Sequence, residues 1–364
     1  MSGQGLSRRQ WLAKGLATAP VLLAVPPGAA ASAWPARPLR LLVGFPAGSS
    51  PDLTARLLAE PLGRALGQPV VVDNRAGAGG NLAATLVARA TDGHTLGLMI
   101  NGNLTTARLL QSATAYDPQT DLAPVALLGS APLLLCTVAD APAGFSAWLA
   151  RAREAGARWN FGSPGTGTLG HLGMELLQQR TGLAAVHVPY PGNPQVVAAL
   201  LAGEVQMALL PPGLAGPLVR SGRLKAVLAT VGGRSALAPE VPGLAESGVA
   251  LPPLEIWNAV AAPRAQPAAQ VQRLATELTR LVREPALRDA MAAQGCSSTS
   301  TSQTVAASST KGIRPACPSV VARAVSSGSC RTVVIAWRVG FRAWLRPASF
   351  PPGPRRSRPA LARR

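Results

Sequence analysis

Short apolar runs alternate with amphipathic segments from residue 38 to about residue 282, and this alternation constrains the fold more than any other feature of the chain. The apolar runs are predicted strands, and the stretches between them place apolar residues at helical spacing. Strands that alternate with helices in this way predict parallel sheets covered by helices, an α/β fold. The predicted strands are 39–45, 70–73, 95–100, 133–138, 158–162, 185–188, 205–210 and 224–230.

The positive charge of the chain is concentrated at its two ends. The formal net charge is +19, and residues 1–33 carry three basic residues and no acidic one. Residues 296–364 carry twelve basic residues and again no acidic one, which leaves 20 basic against 16 acidic residues, a net +4, in residues 34–295. Because the central segment is nearly balanced, we expect no basic patch on it and no nucleic-acid partner.

The first 33 residues are predicted to be a twin-arginine signal peptide. The run Ser7-Arg8-Arg9-Gln10-Trp11-Leu12 contains the paired arginines, a short apolar stretch follows, and Ala31-Ser32-Ala33 is a small-residue cleavage site. The apolar stretch is interrupted by prolines and is too short to span a bilayer. We therefore expect a mature chain that begins near Trp34 and is exported to the periplasm.

Three loops rich in small residues each follow a predicted strand and precede a predicted helix; they are 46–52, 74–81 and 163–168. The first N–H groups of a helix have no internal partner and lie at the positive end of its dipole, so small residues there allow an anion to approach. Any one of these loops is better explained as a tight turn with a helix cap. The presence of three favours a site for a carboxylate or a phosphate.

Cofactor and metal sites find little support. The segment Gly165–Gly170 matches the GxGxxG pattern of dinucleotide sites, but the next predicted strand ends without the expected acidic residue. The histidines, His94, His171 and His187, do not have the spacing of metal ligands. Cys136 is the one cysteine of residues 34–295, which excludes a disulfide framework there, and its apolar neighbours predict a buried side chain. We expect neither a cofactor nor a metal.

Hydrolase chemistry is also poorly supported, because the chain has no GxSxG nucleophile motif. We expect the protein not to be an enzyme. The alternative that stays open is a periplasmic serine hydrolase with Ser163 as the nucleophile and His171 as the base.

Several of these segments, taken in order, resemble a single family: the substrate-binding proteins of tripartite tricarboxylate transporters, also called Bug receptors. The resemblance covers about residues 34–295, and such an ordered set is specific. The matching segments are Arg37–Val43, Phe45–Gly48 with Asp52, Val72–Asn81, Asp92–Leu96, Gly162–Thr168 with His171, and Val188–Gly192.

The resemblance implies a two-lobed periplasmic-binding-protein fold of the Venus-flytrap type II, with mixed, mostly parallel sheets and helices on both faces. It implies that residues 34–133 and 255–295 form lobe 1 and that residues 134–254 form lobe 2. It further implies a receptor that captures a small organic carboxylate between the lobes and delivers it to the integral-membrane permease subunits of such a transporter. We expect a monomer.

The resemblance also implies which loop residues hold the ligand, through backbone and hydroxyl groups. Two departures from the family pattern leave the identity of the ligand open: Ser49 replaces a usual second glycine, and Leu209-Leu210-Pro211-Pro212 lacks a frequent Asp. Carried over to this chain, the implied ligand-binding residues are Ala47, Gly48, Ser49, Ser50, Asp52, Ala78, Gly79, Asn81, Ser163, Thr166, Gly167, Thr168, His171, Tyr190 and Asn193.

The composition changes after Gly295. The family resemblance implies a further helix and a closing segment, but residues 296–364 are rich in Arg, Pro and Ser and contain no acid. We interpret this stretch as an aberrant basic tail that a reading-frame shift produced, and we expect it to be disordered, with lobe 1 lacking its final covering helix. A basic interaction tail is the alternative.

Overall fold

Two five-stranded β-sheets, each with helices packed on both faces, form two lobes. The structure is a computed structural model that describes residues 34–110, 114–236 and 238–297. The predicted signal peptide and the chain beyond Ser297 lie outside these residues. The α/β class and the two-lobed architecture that we predicted are confirmed.

The first sheet takes strands from two separate parts of the chain, and the second takes its strands from the part between them. In the described residues the strands are β1 (Leu39–Val43), β2 (Val70–Asn74), β3 (Thr95–Ile100), β4 (Leu122–Pro132), β5 (Leu134–Val138), β6 (Asn160–Ser163), β7 (Val186–Pro189), β8 (Met207–Leu210), β9 (Leu224–Ala229) and β10 (Glu255–Pro263).

Helices connect most of these strands. They are α1 (Ser50–Leu66), α2 (Asn81–Ala88), α3 (Ala107–Leu110), α4 (Phe145–Ala155), α5 (Leu169–Thr181), α6 (Asn193–Leu201), α7 (Pro212–Arg220), α8 (Leu244–Ser247), α9 (Ala268–Leu281) and α10 (Pro285–Ala293). Two short 3₁₀ turns, Ala78–Gly80 and Gly156–Arg158, and a π-helical segment, Gly102–Thr106, complete the described elements. Over the described residues, no helix is both long and apolar enough to cross a membrane.

The strand order is β2-β1-β3-β10-β4 in lobe 1 and β7-β6-β8-β5-β9 in lobe 2. In lobe 1, β1 pairs in parallel with β2 and β3, while β10 runs antiparallel to β3 and β4. In lobe 2, β6 pairs in parallel with β7 and β8, while β5 runs antiparallel to β8 and β9. Four strands of each sheet therefore point in one direction, and their carboxyl ends lie at one edge, where ligands bind in open α/β sheets.

Each sheet face has its own apolar core. Adjacent residues of a strand point to opposite faces, so Leu41 packs with α1 and α9 whereas Leu42 packs with α2. In lobe 2, Leu135 packs with α4 and α5, and Leu134 packs with α6 and α7. Burial on both faces explains why these strands are almost continuously apolar in sequence.

Thr230 joins the two chain segments that cross between the lobes. Its N–H donates to the Leu133 carbonyl at 2.9 Å, and its hydroxyl accepts from the Leu133 N–H at 2.9 Å. The same hydroxyl donates to the Leu254 carbonyl at 2.6 Å, and the Leu254 N–H donates to the Thr230 carbonyl at 2.8 Å. One residue thus ties both crossings together, and we did not predict this role from the sequence.

Helix α1 begins after Ser49, which caps it in an extended conformation, although the Ser49 hydroxyl makes no capping hydrogen bond. The helix ends at Gly67, whose left-handed φ of 78° is typical of a residue that terminates a helix.

The first two residues of the predicted tail, Cys296 and Ser297, belong to lobe 1. Cys296 is buried in the core that α1, α9 and α10 form with the sheet. Ser297 pairs with Ser130 on β4 through two hydrogen bonds, of 3.0 and 2.8 Å. The predictions for the rest of the tail fall outside the described residues.

Candidate functional site

The second and third predicted loops touch each other across the lobes. A Cβ atom placed on Gly79 would lie 2.9 Å from the carbonyl oxygen of Thr166, and one on Gly165 would lie 3.0 Å from the Gly79 Cα. Gly79 also has a left-handed φ of 63°, so both conformation and space call for glycine. Backbone atoms of the two lobes therefore meet here without intervening side chains.

The π-helical segment 102–106 contributes to the same contact. The Thr106 hydroxyl donates to the carbonyl of Gly167 in the opposite lobe at 3.1 Å, and a Cβ on Gly102 would lie 3.4 Å from that oxygen. We did not predict this segment from the sequence. Single π-helical turns occur frequently at functional sites, which agrees with the position of this segment at the lobe contact.

The first predicted loop meets lobe 2 at a second place, before α6. A Cβ on Gly192 would lie 2.7 Å from the Pro46 Cδ, and one on Gly48 would lie 3.8 Å from the Pro194 Cγ. All three predicted loops thus take part in contacts between the lobes. Ala47 and Ser50, also predicted, lie in this loop with an exposed and a half-buried side chain respectively.

A small recess lies between the lobes at the first of these contacts. Its volume of about 10 Å³ is room for roughly one water molecule. The lobes are therefore closed on each other, and a ligand would have to enter before they close. The recess is lined by Gly79, Asn81, Gly102, Ala107, Leu110, Thr166 and Gly167.

Four buried side-chain oxygens at or beside the lobe contacts have no hydrogen-bond partner among the described residues: Ser49 Oγ, Asn101 Oδ1, Asn193 Oδ1 and Gln195 Oε1. Ser49 is 1% exposed and belongs to lobe 1, and Asn193 is 8% exposed and belongs to lobe 2. An unpaired buried polar group costs roughly 1–3 kcal/mol, so such a group indicates an additional partner. Ser49 and Asn193 were predicted site residues, whereas Asn101 and Gln195 were not.

Asp52 braces the first loop from inside and does not line the cleft. Its carboxylate accepts from the Gly48 N–H at 2.9 Å, from Asn74 Nδ2 at 2.9 Å and from Arg56 Nε at 3.0 Å, and the residue is fully buried. Burial alone would raise the pKa of Asp52, but the hydrogen bonds from Arg56, Gly48 and Asn74 hold it below its usual value. The implied ligand contact is therefore corrected to a role in shaping the loop.

The second loop has an unusual backbone that a polar network supports. Ala78 has a left-handed φ of 49°, which is uncommon for a residue with a Cβ atom. Asn81 Oδ1 accepts from Asn103 Nδ2 at 2.9 Å and from the Tyr116 hydroxyl at 3.0 Å. Asn103 also donates to the Gly79 carbonyl at 3.1 Å. Asn103 and Tyr116 lie in segments for which we predicted no role from the sequence, and their hydrogen bonds hold the loop in place.

The third loop is held by its own groups and by two histidines. The Thr168 hydroxyl donates to the Gly165 carbonyl at 2.7 Å, so this predicted ligand group is already engaged. Ser163 Oγ lies 2.7 Å from His187 Nε2, and the Gly167 N–H donates to His171 Nδ1 at 3.2 Å. Ser163 therefore contacts His187, whereas the hydrolase alternative paired it with His171; the register of β6 and β7 places His187 opposite Phe161, two residues before Ser163 on the same strand.

Tyr190 lies under the third loop. Its ring is 3.4 Å from the position of a Cβ on Gly162, and its N–H donates to the Ser163 carbonyl at 2.8 Å. Burial and the neighbouring Glu204 raise the pKa of the phenol. The structure thus places Tyr190 as a support for the loop. Among residues 34–110, 114–236 and 238–297, no group of three or more His, Cys, Asp or Glu residues is arranged to hold a metal ion.

Comparison with known proteins connects this chain to a family. The family model described as the tripartite tricarboxylate transporter family receptor matches residues 54–309. The chain belongs to this family. Among its relatives, a UPF0065 protein of Bordetella bronchiseptica is 36% identical over 287 residues, which are 76% of this chain and 83% of the relative. Protein BugT of Bordetella pertussis is 35% identical over 268 residues, 73% of this chain and 82% of the relative.

Two of the solved structures that are similar to this chain contain a carboxylate. MatC of Rhodopseudomonas palustris with bound malate has a TM-score of 0.72 and 28% identity, covering 84% of this chain and 98% of MatC. Rpa4515 of R. palustris with adipate has a TM-score of 0.70 and 31% identity, covering 73% of this chain and 89% of the other. Both are structurally similar to this receptor along nearly their whole length.

Proposed function

We propose that this receptor captures a small organic carboxylate between its lobes in the periplasm and delivers it to the permease of a tripartite tricarboxylate-type transporter. The proposed ligand-binding residues come from the three loops, except Asp52, and from the start of α6, where Asn193 lies; Asn101 and Gln195 are added. The similarity to receptors that hold malate and adipate supports the class of ligand. Family membership supports the transporter as partner, and the neighbour described as a periplasmic binding protein supports the compartment.

The observation that carries the proposal is the pair of unpartnered buried groups on opposite lobes, Ser49 and Asn193. Ser49 is the cap of α1, and Asn193 begins α6, so each lies at the positive end of a helix. A carboxylate between them could accept hydrogen bonds from the Ser49 hydroxyl and from the Asn193 amide, whose oxygen and nitrogen are interchangeable by rotation. Such a ligand would link both lobes and stabilise the closed form.

A thermal-shift and calorimetric screen of the purified full chain tests the proposal, with malate, adipate and a series of monocarboxylates as probes. A ligand at a hundredfold excess over its Kd stabilises the folded state by roughly 2.7 kcal/mol, so the true ligand should raise the melting temperature measurably. Ser49→Ala should weaken its binding roughly 10- to 150-fold, the cost of one hydrogen bond to a charged group.

Ser247→Ala is the matched control, because the Ser247 hydroxyl bonds only its own helix, at the Leu244 carbonyl. It should leave affinity unchanged. If no carboxylate of the screen shifts the melting temperature, or if both serine variants bind as the wild type does, the proposed site is wrong.

The short Ser163–His187 contact is the observation that favours a hydrolase. Ser163 is fully buried, and among the described residues no carboxylate is hydrogen-bonded to His187. A receptor should therefore not turn over ester substrates. Ester hydrolysis that disappears in Ser163→Ala would establish the hydrolase instead.

A further inference from the structure

Three aromatic rings form a stack directly beneath the third loop. Phe161 of β6 lies 4.8 Å from His187 of β7, and His187 lies 4.1 Å from His171 of α5, measured between ring centroids. The planes of neighbouring rings differ by 21° and 24°. The loop 163–168 joins β6 to α5, and the stack connects these two elements to each other and to β7.

Each imidazole of the stack also bonds the loop itself. His187 Nε2 contacts the Ser163 hydroxyl, where the loop begins, and His171 Nδ1 accepts the N–H of Gly167, one residue before its end. A ring nitrogen accepts a hydrogen bond only when it carries no proton, so the Gly167 contact requires neutral His171. The proton of neutral His171 then sits on Nε2, which lies 3.7 Å from Glu175 Oε1.

The surroundings keep both rings neutral at neutral pH. Burial lowers the pKa of His171, and Glu175 opposes that effect only in part. Burial and the adjacent His171 lower the pKa of His187 to about 4. Of the titratable groups in the described residues, Glu175 on the same helix and His187 on β7 face His171. The segment 78–80 of lobe 1, which contacts the 163–168 loop, carries no charged side chain.

We propose that His171 and His187 are positioning residues: the neutral stacked pair holds the 163–168 loop in its ligand-binding shape, and protonation of His171 releases the loop. The inference rests on the proposed function only in that the loop's ligand is a carboxylate. A proton on Nδ1 of His171 would point at the Gly167 N–H, and two hydrogen-bond donors cannot bond each other. Positive charges on both rings would also repel each other, since the ring centroids are 4.1 Å apart.

The direction of the pH effect follows from the lowered pKa values. The neutral pair is fully present above the ordinary histidine pKa of about 6.5 and is lost as the pH falls below it toward the lowered values. Ligand affinity should therefore be constant above about pH 6.5 and should weaken progressively below it.

Two substitutions separate the hydrogen bond from the stacking. His171→Phe keeps a ring in the stack but removes the acceptor, and His171→Asn restores an acceptor that does not titrate. His94→Asn is the control, since the remaining histidine lies in lobe 1 against Trp34. Malate and adipate binding is measured by calorimetry from pH 8 to pH 4.5, and circular dichroism checks that each variant is folded.

We expect His171→Phe to bind roughly 3- to 10-fold more weakly at pH 7.5, and His171→Asn to recover most of that loss. Dividing the wild-type affinity by the His171→Asn affinity at each pH removes the effect of the ligand's own protonation. This ratio should fall roughly tenfold between pH 7 and pH 4.5. The His94→Asn profile should follow the wild type. A constant ratio, or wild-type affinity in His171→Phe, would overturn the proposal.

Hydrogen exchange of the Gly167 amide tests the loop without any ligand. After correction for intrinsic exchange, its protection should decrease below pH 6 in the wild type and stay constant with pH in His171→Asn. Equal protection of this amide above and below pH 6 in the wild type contradicts the inference. If neither malate nor adipate binds, the exchange result still decides this inference, and the failure belongs to the proposed ligand class.

Discussion

Gly79 is the residue at which one added carbon atom should separate ligand binding from folding. Its Cβ would lie 2.9 Å from the Thr166 oxygen of the opposite lobe. Gly79→Ala should therefore hinder closure and weaken ligand binding roughly tenfold or more, the effect of overpacking a tight contact. Its φ of 63° adds a folding cost of about 1–2 kcal/mol. Calorimetry with the ligand and urea unfolding measure the two effects.

Gly93→Ala is the matched control for this substitution. Gly93 has nearly the same φ, 64°, but a Cβ there would meet nothing within 4 Å. It should show the same loss of stability with unchanged affinity. If both variants lose affinity to the same extent, backbone strain and not closure explains the effect.

At the level of single residues, the sequence predicts whether a side chain is buried better than it predicts which residues that side chain contacts. The burial of Cys136 is confirmed because an apolar run surrounds it. The pairing of Ser163 with His187 depends on strand register, which a sequence without an identified neighbour strand does not specify. The family resemblance implied Asp52 as a ligand contact, but only the fold shows that Gly48, Arg56 and Asn74 donate hydrogen bonds to its oxygens.

Among the elements, the π-helical segment 102–106 has the most direct part in closure. Thr106→Val removes the hydrogen bond to the Gly167 carbonyl and keeps the shape of the side chain. Because a neutral hydrogen bond contributes about 0.5–1.5 kcal/mol, affinity should fall roughly two- to tenfold. The measurement is calorimetry with the ligand that the screen identifies.

Thr276→Val serves as the comparison, since the Thr276 hydroxyl bonds only the Gln272 carbonyl within α9. Its affinity should equal that of the wild type. Equal affinity in Thr106→Val would mean that the bond between the lobes is absent in the bound state.

There are physical reasons why the strands β4 and β10 were not predicted from the sequence. The strand β4 contains Pro124 and ends at Pro132, and proline in an apolar run argues against a strand unless it lies at an edge, as β4 does. The strand β10 returns from lobe 2, so its neighbours β3 and β4 are distant in sequence. The alternation of strands and helices predicted the parallel part of each sheet and gave no signal for β4 or for the antiparallel strand β10.

For the molecule as a whole, the two lobes came from the family resemblance, since alternation alone does not say how many sheets form. The end of the described chain provides a test of where lobe 1 stops. A chain that ends after Ser297 keeps the buried Cys296 and two hydrogen bonds to Ser130. A chain that ends after Gly295 loses them and should be less stable by roughly 2–4 kcal/mol.

Urea unfolding of these two truncated chains measures the difference, and the segment beyond Ser297 is absent from both. Equal stability would show that Cys296 and Ser297 do not belong to lobe 1. The predictions for residues 298–364 stay predictions.

The glycines at the lobe contact have a genetic consequence. Gly79 and Gly165 bring backbone close to backbone, and every amino-acid replacement at such a position adds a carbon atom. A buried leucine can change to isoleucine or methionine at a cost usually below about 1.5 kcal/mol, so the cores tolerate some drift. These two glycines have no such conservative replacement. Under relaxed selection, a lineage carrying this gene would therefore lose ligand capture well before it lost a folded protein.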